Sequence, residues 1–135
     1  MAETLQALGS ENAWITHGAD EMDEVTTTGD THIVTLQDGA IDKMTINPET
    51  YKLPLAKLAD LKGGDAEVNA QAIRDLLSGT KSPYRDIVVL NAACALTMCG
   101  KADDIADGII QAVVSIDSGA AQNKLDQLIE VTNNG

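Results

Sequence analysis

Short apolar runs bounded by turn residues occupy the first third of the chain. Residues 2–8 carry two leucines three positions apart and stop at Gly9, which predicts a short helix. Residues 13–16 predict a buried strand that leads into a loop. Residues 33–36 and 41–46 flank Asp38-Gly39, a pair typical of the type I′ turn that joins two antiparallel strands. The pattern therefore predicts a strand, a loop and a hairpin.

From Asp65 onward, apolar residues recur every three or four positions, which predicts helices alone. Asp65 is a suitable N-cap for the first helix, which ends at Ser78-Gly79, and Ser82-Pro83 opens the second. The second helix runs to Met98 or Cys99 and is apolar nearly all round, so it is predicted to be central and buried. Two further helices are predicted at residues 102–116 and 121–129, before a tail, residues 132–135, that is expected to fray.

The connection between the hairpin and the helices contains several turn signals. Asn47-Pro48 predicts an N-cap followed by one helical turn, and residues 53–61 predict a loop with a second turn. Residues 62–65, Lys-Gly-Gly-Asp, precede a helix and could be compared with a phosphate cradle. We interpret them instead as a glycine turn and an N-cap, because the Asp65 carboxylate would repel phosphate.

Strands early in the chain and helices late predict a mixed α/β fold. The 135 residues, 44% of them hydrophobic, suit one domain with one core. Phe is absent and aromatic residues make up 2% of the chain, so the core is expected to consist of Leu, Ile, Val and Ala.

The charge of the chain excludes several classes of partner. There are 21 acidic and 9 basic residues, for a net charge of −12, and the first 50 residues hold ten carboxylates against Lys43 alone. Nucleic acids and anionic membranes attract basic surfaces, so neither is an expected partner. The sequence contains neither an apolar run long enough to span a membrane nor a secretory leader pattern at Met1, and we expect a cytoplasmic protein.

The cysteines and histidines do not form a recognisable motif. Cys94 and Cys99 lie five residues apart in an apolar segment, which suits neither a redox pair nor a zinc knuckle, and each is predicted to be a buried free thiol. His17 is expected to be a hydrogen-bonded loop residue. Neither His17 nor His32 is expected to have a second histidine or cysteine nearby to complete a transition-metal site.

The most informative local feature is an acidic loop that holds four carboxylates in five residues: Asp20, Glu21, Asp23 and Glu24. Carboxylates this close repel one another unless water screens them or a cation binds among them. Mg²⁺ suits such a loop, because it binds one or two protein carboxylates and completes its coordination with waters and substrate phosphates. A solvated acidic surface remains the alternative on the charge pattern alone. The spacing excludes an EF-hand.

Several segments, in order along the chain, resemble the C-terminal portion of the anthranilate phosphoribosyltransferase family. Residues 17–26, His-Gly-Ala-Asp-Glu-Met-Asp-Glu-Val-Thr, are similar to the family's His-Gly-x-Asp-Gly-Leu/Met-Asp-Glu motif. Residues 61–70 match its Leu-Lys-Gly-Gly-Asp-x-x-x-Asn-Ala segment, and shorter matches lie at residues 8–18, 85–93 and 117–125. The resemblance covers essentially the whole chain.

This resemblance implies a fold, a function and a metal site. The fold is the C-terminal half of a phosphoribosyltransferase α/β domain, in which short strands and a hairpin precede about four helices. The family transfers phosphoribosyl from phosphoribosyl pyrophosphate (PRPP) to anthranilate in tryptophan biosynthesis. Its Asp-Glu pair, which falls here on Asp23 and Glu24, binds the magnesium ions that hold the pyrophosphate. The resemblance assigns no catalytic residue to this chain.

The chain also departs from the family pattern. Glu21 stands where the family usually has glycine, and two outcomes are open: the glutamate strains the loop, or the turn tolerates it. Its charge could tighten or distort metal binding. The family's N-terminal helical domain, through which it forms homodimers, its Gly-Thr-Gly-Gly-Asp phosphate loop, its Lys-His-Gly-Asn segment and its anthranilate-binding arginine have no counterpart in residues 1–135. We therefore expect a single partial domain that is inactive alone, and its self-association stays open. The alternative is a non-catalytic protein-binding or assembly module that retains this half-fold.

Overall fold

The computed structural model describes residues 1–133, which form a three-stranded antiparallel sheet and five α-helices. The elements are α1 (Ala2–Ala7), β1 (Asn12–Gly18), β2 (Thr31–Gln37), β3 (Ala40–Ile46), α2 (Ala66–Leu77), α3 (Pro83–Met98), α4 (Ile105–Asp117) and α5 (Ala120–Asn133), with 3₁₀ helices at Pro48–Tyr51 and Leu58–Leu61. The predicted mixed α/β class, with a hairpin followed by four helices, is confirmed.

The hairpin that joins β2 to β3 turns at Asp38-Gly39. Asp38 has φ 49° and Gly39 has φ 80°, so both turn residues are left-handed, as a type I′ turn requires. The strand order is β1-β2-β3, and in this register Val34 lies opposite both Ile15 on β1 and Lys43 on β3. The predicted hairpin is therefore confirmed in position and in turn type.

One face of the sheet packs against the helices. Ile33 and Ile46 are buried there with Leu90 and Ala93 of α3, and Trp14 packs against the same cluster. On the opposite face α1 packs against β1 and β2. The prediction that residues 13–16 form a buried strand is wrong as to burial, since all four are half-buried. The reason is that β1 lies at the edge of the sheet, where both of its faces are only partly covered.

Three helical segments begin directly after the residues that the sequence predicts to be N-caps. Side-chain oxygens of Asn47, Asp65 and Ser82 accept hydrogen bonds from backbone amides two or three residues further on, at 2.9, 3.0 and 3.2 Å. The start of α4 was predicted at Ala102 but lies at Ile105, because the Asp104 carboxylate caps that helix at the amide of Asp107, at 2.8 Å.

The second predicted helix, α3, is central, as expected, but it is not buried all round. Its inner face contacts α4 so closely that a Cβ added at Gly108 would lie 2.7 Å from the Ala93 carbonyl oxygen. Its outer face is open at Ala95 and at Cys99, the residue that follows its last turn. The prediction of a buried thiol is therefore confirmed for Cys94 and wrong for Cys99. Burial raises the pKa of Cys94 to about 12, so this thiol is unreactive at neutral pH.

The last helix, α5, has no fully buried residue within the described range. Thr132 and Asn133 belong to it, and the Thr132 hydroxyl donates to the Leu128 carbonyl oxygen at 2.9 Å. The expectation that the tail frays from Thr132 is therefore wrong for these two residues, and residues 134–135 lie outside the described part. None of the helices in residues 1–133 has both the length and the apolar character needed to cross a membrane.

Candidate functional site

The acidic loop connects β1 to β2 and is closed at its base by the backbone. The Gly18 amide donates to the Met22 carbonyl oxygen at 3.0 Å, and the Ala19 amide donates to the Asp30 carbonyl oxygen at 2.8 Å. These two bonds bring the start and the end of the loop together. The loop thus has a defined shape before any ligand is considered.

Asp20 lies inside this loop and organises it. One carboxylate oxygen accepts hydrogen bonds from the hydroxyls of Thr26 at 2.7 Å and Thr28 at 2.6 Å, and the other accepts from the Met22 amide at 3.2 Å. Burial opposes ionisation, but these donors outweigh it and hold the pKa of Asp20 below its ordinary value. Asp20 is therefore a structural carboxylate, which separates it from the other three acidic residues.

Gly18 makes room for that carboxylate. A Cβ added at position 18 would collide with the nearer Asp20 oxygen and would also lie 3.2 Å from the Thr26 methyl group and 3.3 Å from the Met22 carbonyl oxygen. Any other residue would push Asp20 out of its hydrogen-bonded position. The glycine of the His-Gly pair therefore serves the packing of the loop.

Asp23 and Glu24 are exposed, and the backbone on both sides of them is held in place. The Thr16 hydroxyl donates to the Asp23 carbonyl oxygen. The Asn91 side chain accepts from the Val25 amide at 3.0 Å and donates to the Val25 carbonyl oxygen at 2.8 Å. The main chain that carries these two exposed carboxylates is therefore held in place on both sides.

Asn91 is the site residue that sequence reasoning missed. It lies on α3, 66 positions from Val25, and also donates to the Ile87 carbonyl oxygen one turn earlier, at 2.9 Å. The available signal was a polar residue in the middle of an otherwise apolar helix. A half-buried amide side chain on an apolar helix needs hydrogen-bond partners, and here the partner is the backbone of the acidic loop.

Glu21 has φ 68°, in the left-handed region that favours glycine. Of the two outcomes left open for a glutamate at this position, the backbone shows the strained conformation. The Glu21 side chain is exposed, and its carboxylate does not bond to any described residue. Glu21 therefore affects the loop through its backbone conformation and not through a side-chain hydrogen bond.

The carboxylates of the acidic loop suit Mg²⁺ better than they suit a metal ion whose ligands all come from protein side chains. Within residues 1–133 no three His, Cys, Asp or Glu side chains converge as a metal-binding group. Asp23 and Glu24 provide two adjacent exposed carboxylates, and Asp20 is already occupied by its hydroxyl donors. Mg²⁺ commonly binds to one or two carboxylates and takes its remaining ligands from water and phosphate oxygens. The donor set therefore fits Mg²⁺.

A cleft of about 270 Å³ lies beside the pair and is lined by residues of the loop, the second 3₁₀ helix and α3: Met22, Glu24, Leu61, Tyr84, Ile87, Val88 and Asn91.

The Lys-Gly-Gly-Asp segment at residues 62–65 has a structural role, as interpreted from the sequence. The Gly64 amide donates to the Asn69 side chain at 2.9 Å, so it is not free to bind an anion.

The histidines are placed differently from the prediction. His17 belongs to β1 instead of the loop, and the register of the sheet sets it directly opposite His32 on β2. The expectation that neither has a neighbouring histidine is therefore wrong, because residues 15 positions apart in sequence are paired by the antiparallel sheet. Both side chains are exposed.

Comparison with known proteins identifies the family. The family described as "Glycosyl transferase family, a/b domain" matches residues 1–122, a range that contains the whole sheet, the acidic loop and α2 to α4. The chain belongs to this family. Its mixed α/β architecture and the loop that carries Asp23 and Glu24 are thus those of a glycosyl transferase a/b domain.

Among curated glycosyl transferase relatives, the anthranilate phosphoribosyltransferase of Beijerinckia indica subsp. indica is 50% identical over 133 residues. The aligned segment is 98% of this chain and 39% of that protein. The chain therefore spans about two fifths of the length of the relatives it matches. The similarity to anthranilate phosphoribosyltransferases that the motifs indicated is confirmed.

Two solved structures of the Saccharomyces cerevisiae anthranilate phosphoribosyltransferase share the fold. One, in complex with 4-fluoroanthranilate, superposes with a TM-score of 0.89 at 22% identity over 97% of this chain and 38% of that one. The other, in complex with PRPP and Mg, has a TM-score of 0.85 at 23% identity over 92% and 36%. Residues 1–133 therefore take the same fold as the corresponding part of that yeast enzyme.

Proposed function

We propose that this chain supplies the magnesium-binding part of a cytoplasmic anthranilate phosphoribosyltransferase, which transfers phosphoribosyl from PRPP to anthranilate in tryptophan biosynthesis. One observation carries the proposal: Asp23 and Glu24 form an exposed pair on a loop that Asp20 and Asn91 hold in place. The 50% identity to a protein of that name and the yeast complex with PRPP and Mg support it.

The chemistry explains why an acidic chain would take part in such a transfer. Displacement of pyrophosphate from the ribose builds negative charge on the leaving group, and bound Mg²⁺ would neutralise that charge. Asp23 and Glu24 would hold the metal, while Thr16 and Asn91 fix the backbone on either side of them. A cation between this chain, with its net charge of −12, and a phosphorylated substrate would reduce the repulsion between them.

We further propose that these residues are a partial domain that is inactive alone. β1 lies at the edge of the sheet, so one row of its backbone groups has no strand partner within the described residues. Apolar side chains on the outer faces of the last two helices are exposed: Ile110, Val114, Leu128, Ile129 and Val131. A further part of an α/β domain would cover such an edge and such faces.

The proposal is tested by calorimetric titration of the chain with Mg²⁺ in the presence and absence of pyrophosphate. We expect Mg²⁺ binding that strengthens with pyrophosphate and that is lost when Asp23→Asn is combined with Glu24→Gln. The matched control is Glu21→Gln, which removes a neighbouring exposed carboxylate and should leave the binding nearly unchanged. Equal binding by the double variant and the unaltered chain would contradict the assignment.

The alternative, a non-catalytic assembly module, makes a different prediction for the same titration. The exposed apolar residues of α4 and α5 are the observation that favours it. If the chain does not respond to Mg²⁺ with or without pyrophosphate, and binds a protein through those helices, the module is the better description.

A further inference from the structure

The open part of the sheet surface carries a row of three polar side chains, one from each strand. His17 on β1 is paired with His32 on β2, and His32 is paired with Thr45 on β3. Residues directly opposite each other in antiparallel strands point to the same face, with Cβ atoms about 4.5–5.5 Å apart. Two imidazoles therefore stand side by side, and both are exposed.

The third member of the row orients the second. The Nδ1 atom of His32 lies 3.2 Å from the Thr45 hydroxyl oxygen. A hydrogen bond at one ring nitrogen fixes the ring and leaves the other nitrogen available to a metal, an arrangement common around metal-binding histidines. Thr45 can thus act as a positioning residue for a metal ligand.

The surroundings of the pair favour a partly open site. The row lies in a groove that is also lined by Ile15, Val34 and Lys43. Lys43 is one row away, opposite Val34, and its ammonium group cannot serve as a ligand. Since residues 1–133 contain no group of three metal-ligating side chains, water or another small ligand must complete the coordination.

We propose that His17 and His32 form a binding site for a divalent transition-metal ion of the zinc class. Imidazole nitrogen binds Zn²⁺, Ni²⁺ and Cu²⁺ well, whereas Mg²⁺ prefers oxygen. This site is therefore chemically distinct from the carboxylate pair at Asp23 and Glu24, although His17 precedes the acidic loop by only two residues. It holds one ion through two protein ligands, and its existence does not depend on the proposed transferase function.

The test is titration of the chain with Zn²⁺ alone, followed by calorimetry and by the NMR signals of the histidine side chains. We expect one Zn²⁺ per chain, with shifts of both the His17 and the His32 imidazole signals. Thr45→Val should weaken binding by about tenfold, the lower end of the effect of losing an outer hydrogen bond, and His17→Gln and His32→Gln should each weaken it more, because each removes a ligand. All three positions are exposed, so these variants should fold.

Two controls separate this site from other zinc-binding groups of the chain. Cys99→Ser removes the exposed thiol, and Asp23→Asn with Glu24→Gln removes the carboxylate pair; neither should change the affinity for Zn²⁺ by more than a small factor. The proposal is overturned if the chain binds no Zn²⁺. It is also overturned if the His17→Gln, His32→Gln double variant binds as tightly as the unaltered chain, or if either control abolishes binding.

Discussion

Two adjacent buried threonines have opposite roles in the acidic loop. The Thr26 hydroxyl donates to Asp20 and accepts from the Thr28 amide at 3.0 Å. The Thr27 hydroxyl is buried next to it without a hydrogen-bond partner among the described residues. A buried hydroxyl stabilises a fold only when it is paired, so the same substitution should have opposite effects at the two positions.

We therefore expect Thr26→Val to lower the free energy of unfolding by about 1–3 kcal/mol, since it breaks a bond to a charged group. Thr27→Val should leave it unchanged or raise it by up to about 1 kcal/mol, because valine fills the same space without an unpaired hydroxyl. Urea denaturation followed by circular dichroism measures both values, and each variant serves as the control for the other. Equal losses would show that the loop is not organised around Asp20 in this way.

Glu21 is a source of strain that substitution can relieve. A non-glycine residue in the left-handed region raises the free energy of the folded state by about 1–2 kcal/mol, and substitution by glycine removes this cost. Glycine also gives the unfolded chain more freedom, which offsets part of that gain. Glu21→Gly should therefore raise the free energy of unfolding by about 0.5–1 kcal/mol. The control is Glu21→Ala, which removes the charge but keeps the Cβ atom. If alanine stabilises the chain as much as glycine does, charge repulsion and not backbone strain is the cause.

At the level of residues, the sequence allowed the acidic loop to be predicted but not the different roles of its four carboxylates. Four carboxylates in five positions look alike in a charge pattern. Only the fold shows that Asp20 turns inward to the threonines while Asp23 and Glu24 face solvent. The partnership of Asn91 with Val25 was out of reach for the same reason, because it spans 66 positions.

At the scale of elements, an ion pair between Arg85 and Asp117 links the start of α3 to the end of α4. Arg85 is 2% exposed, and its Nη2 atom donates to an Asp117 carboxylate oxygen at 2.7 Å. This hydrogen bond, together with the positive charge of Arg85, holds the pKa of Asp117 below its ordinary value of 3.8. A folded-state pKa that is lowered gives stability that is complete above the ordinary value and is lost as the pH falls through the lowered one.

Asp117→Asn should therefore destabilise the chain at neutral pH, because it leaves a buried guanidinium without its charged partner. The difference in unfolding free energy between the variant and the unaltered chain should shrink as the pH falls from the ordinary value of 3.8 through the lowered pKa of Asp117, because the unaltered chain then loses the carboxylate charge that the variant lacks at every pH. Thermal unfolding measured across this range tests the expectation. Asp126→Asn, at an exposed site on α5, is the control and should change stability by less than about 0.5 kcal/mol. A difference that does not vary with pH would contradict the account.

Elements were predicted well wherever capping residues and periodicity agree. Asp65, Ser82 and the Asp38-Gly39 turn placed two helices and a hairpin correctly, because each acts on backbone groups close to it in sequence. Errors arose where tertiary packing decides the outcome. The burial of β1 and of Cys99 depends on what covers each surface, and the pairing of His17 with His32 depends on strand register.

For the whole molecule, the surface that the fold leaves uncovered is as informative as its core. The edge of β1 and the apolar faces of α4 and α5 are typical of a part of a larger domain, and the chain spans 39% of its Beijerinckia indica relative. Composition indicated only a domain-sized chain, because length and hydrophobic content do not reveal whether a sheet is complete.

The most direct test of the account is the activity of a hybrid enzyme. In the Beijerinckia indica anthranilate phosphoribosyltransferase, the segment aligned with this chain is replaced by residues 1–133, and turnover of PRPP and anthranilate is measured with Mg²⁺. We predict a folded hybrid that turns over, a loss of activity of at least about 100-fold when Asp23→Asn is combined with Glu24→Gln, and nearly full activity with Glu21→Gln. A folded but inactive hybrid, or one that keeps its activity without both carboxylates, would contradict the claim that this chain carries the magnesium-binding part of the active site.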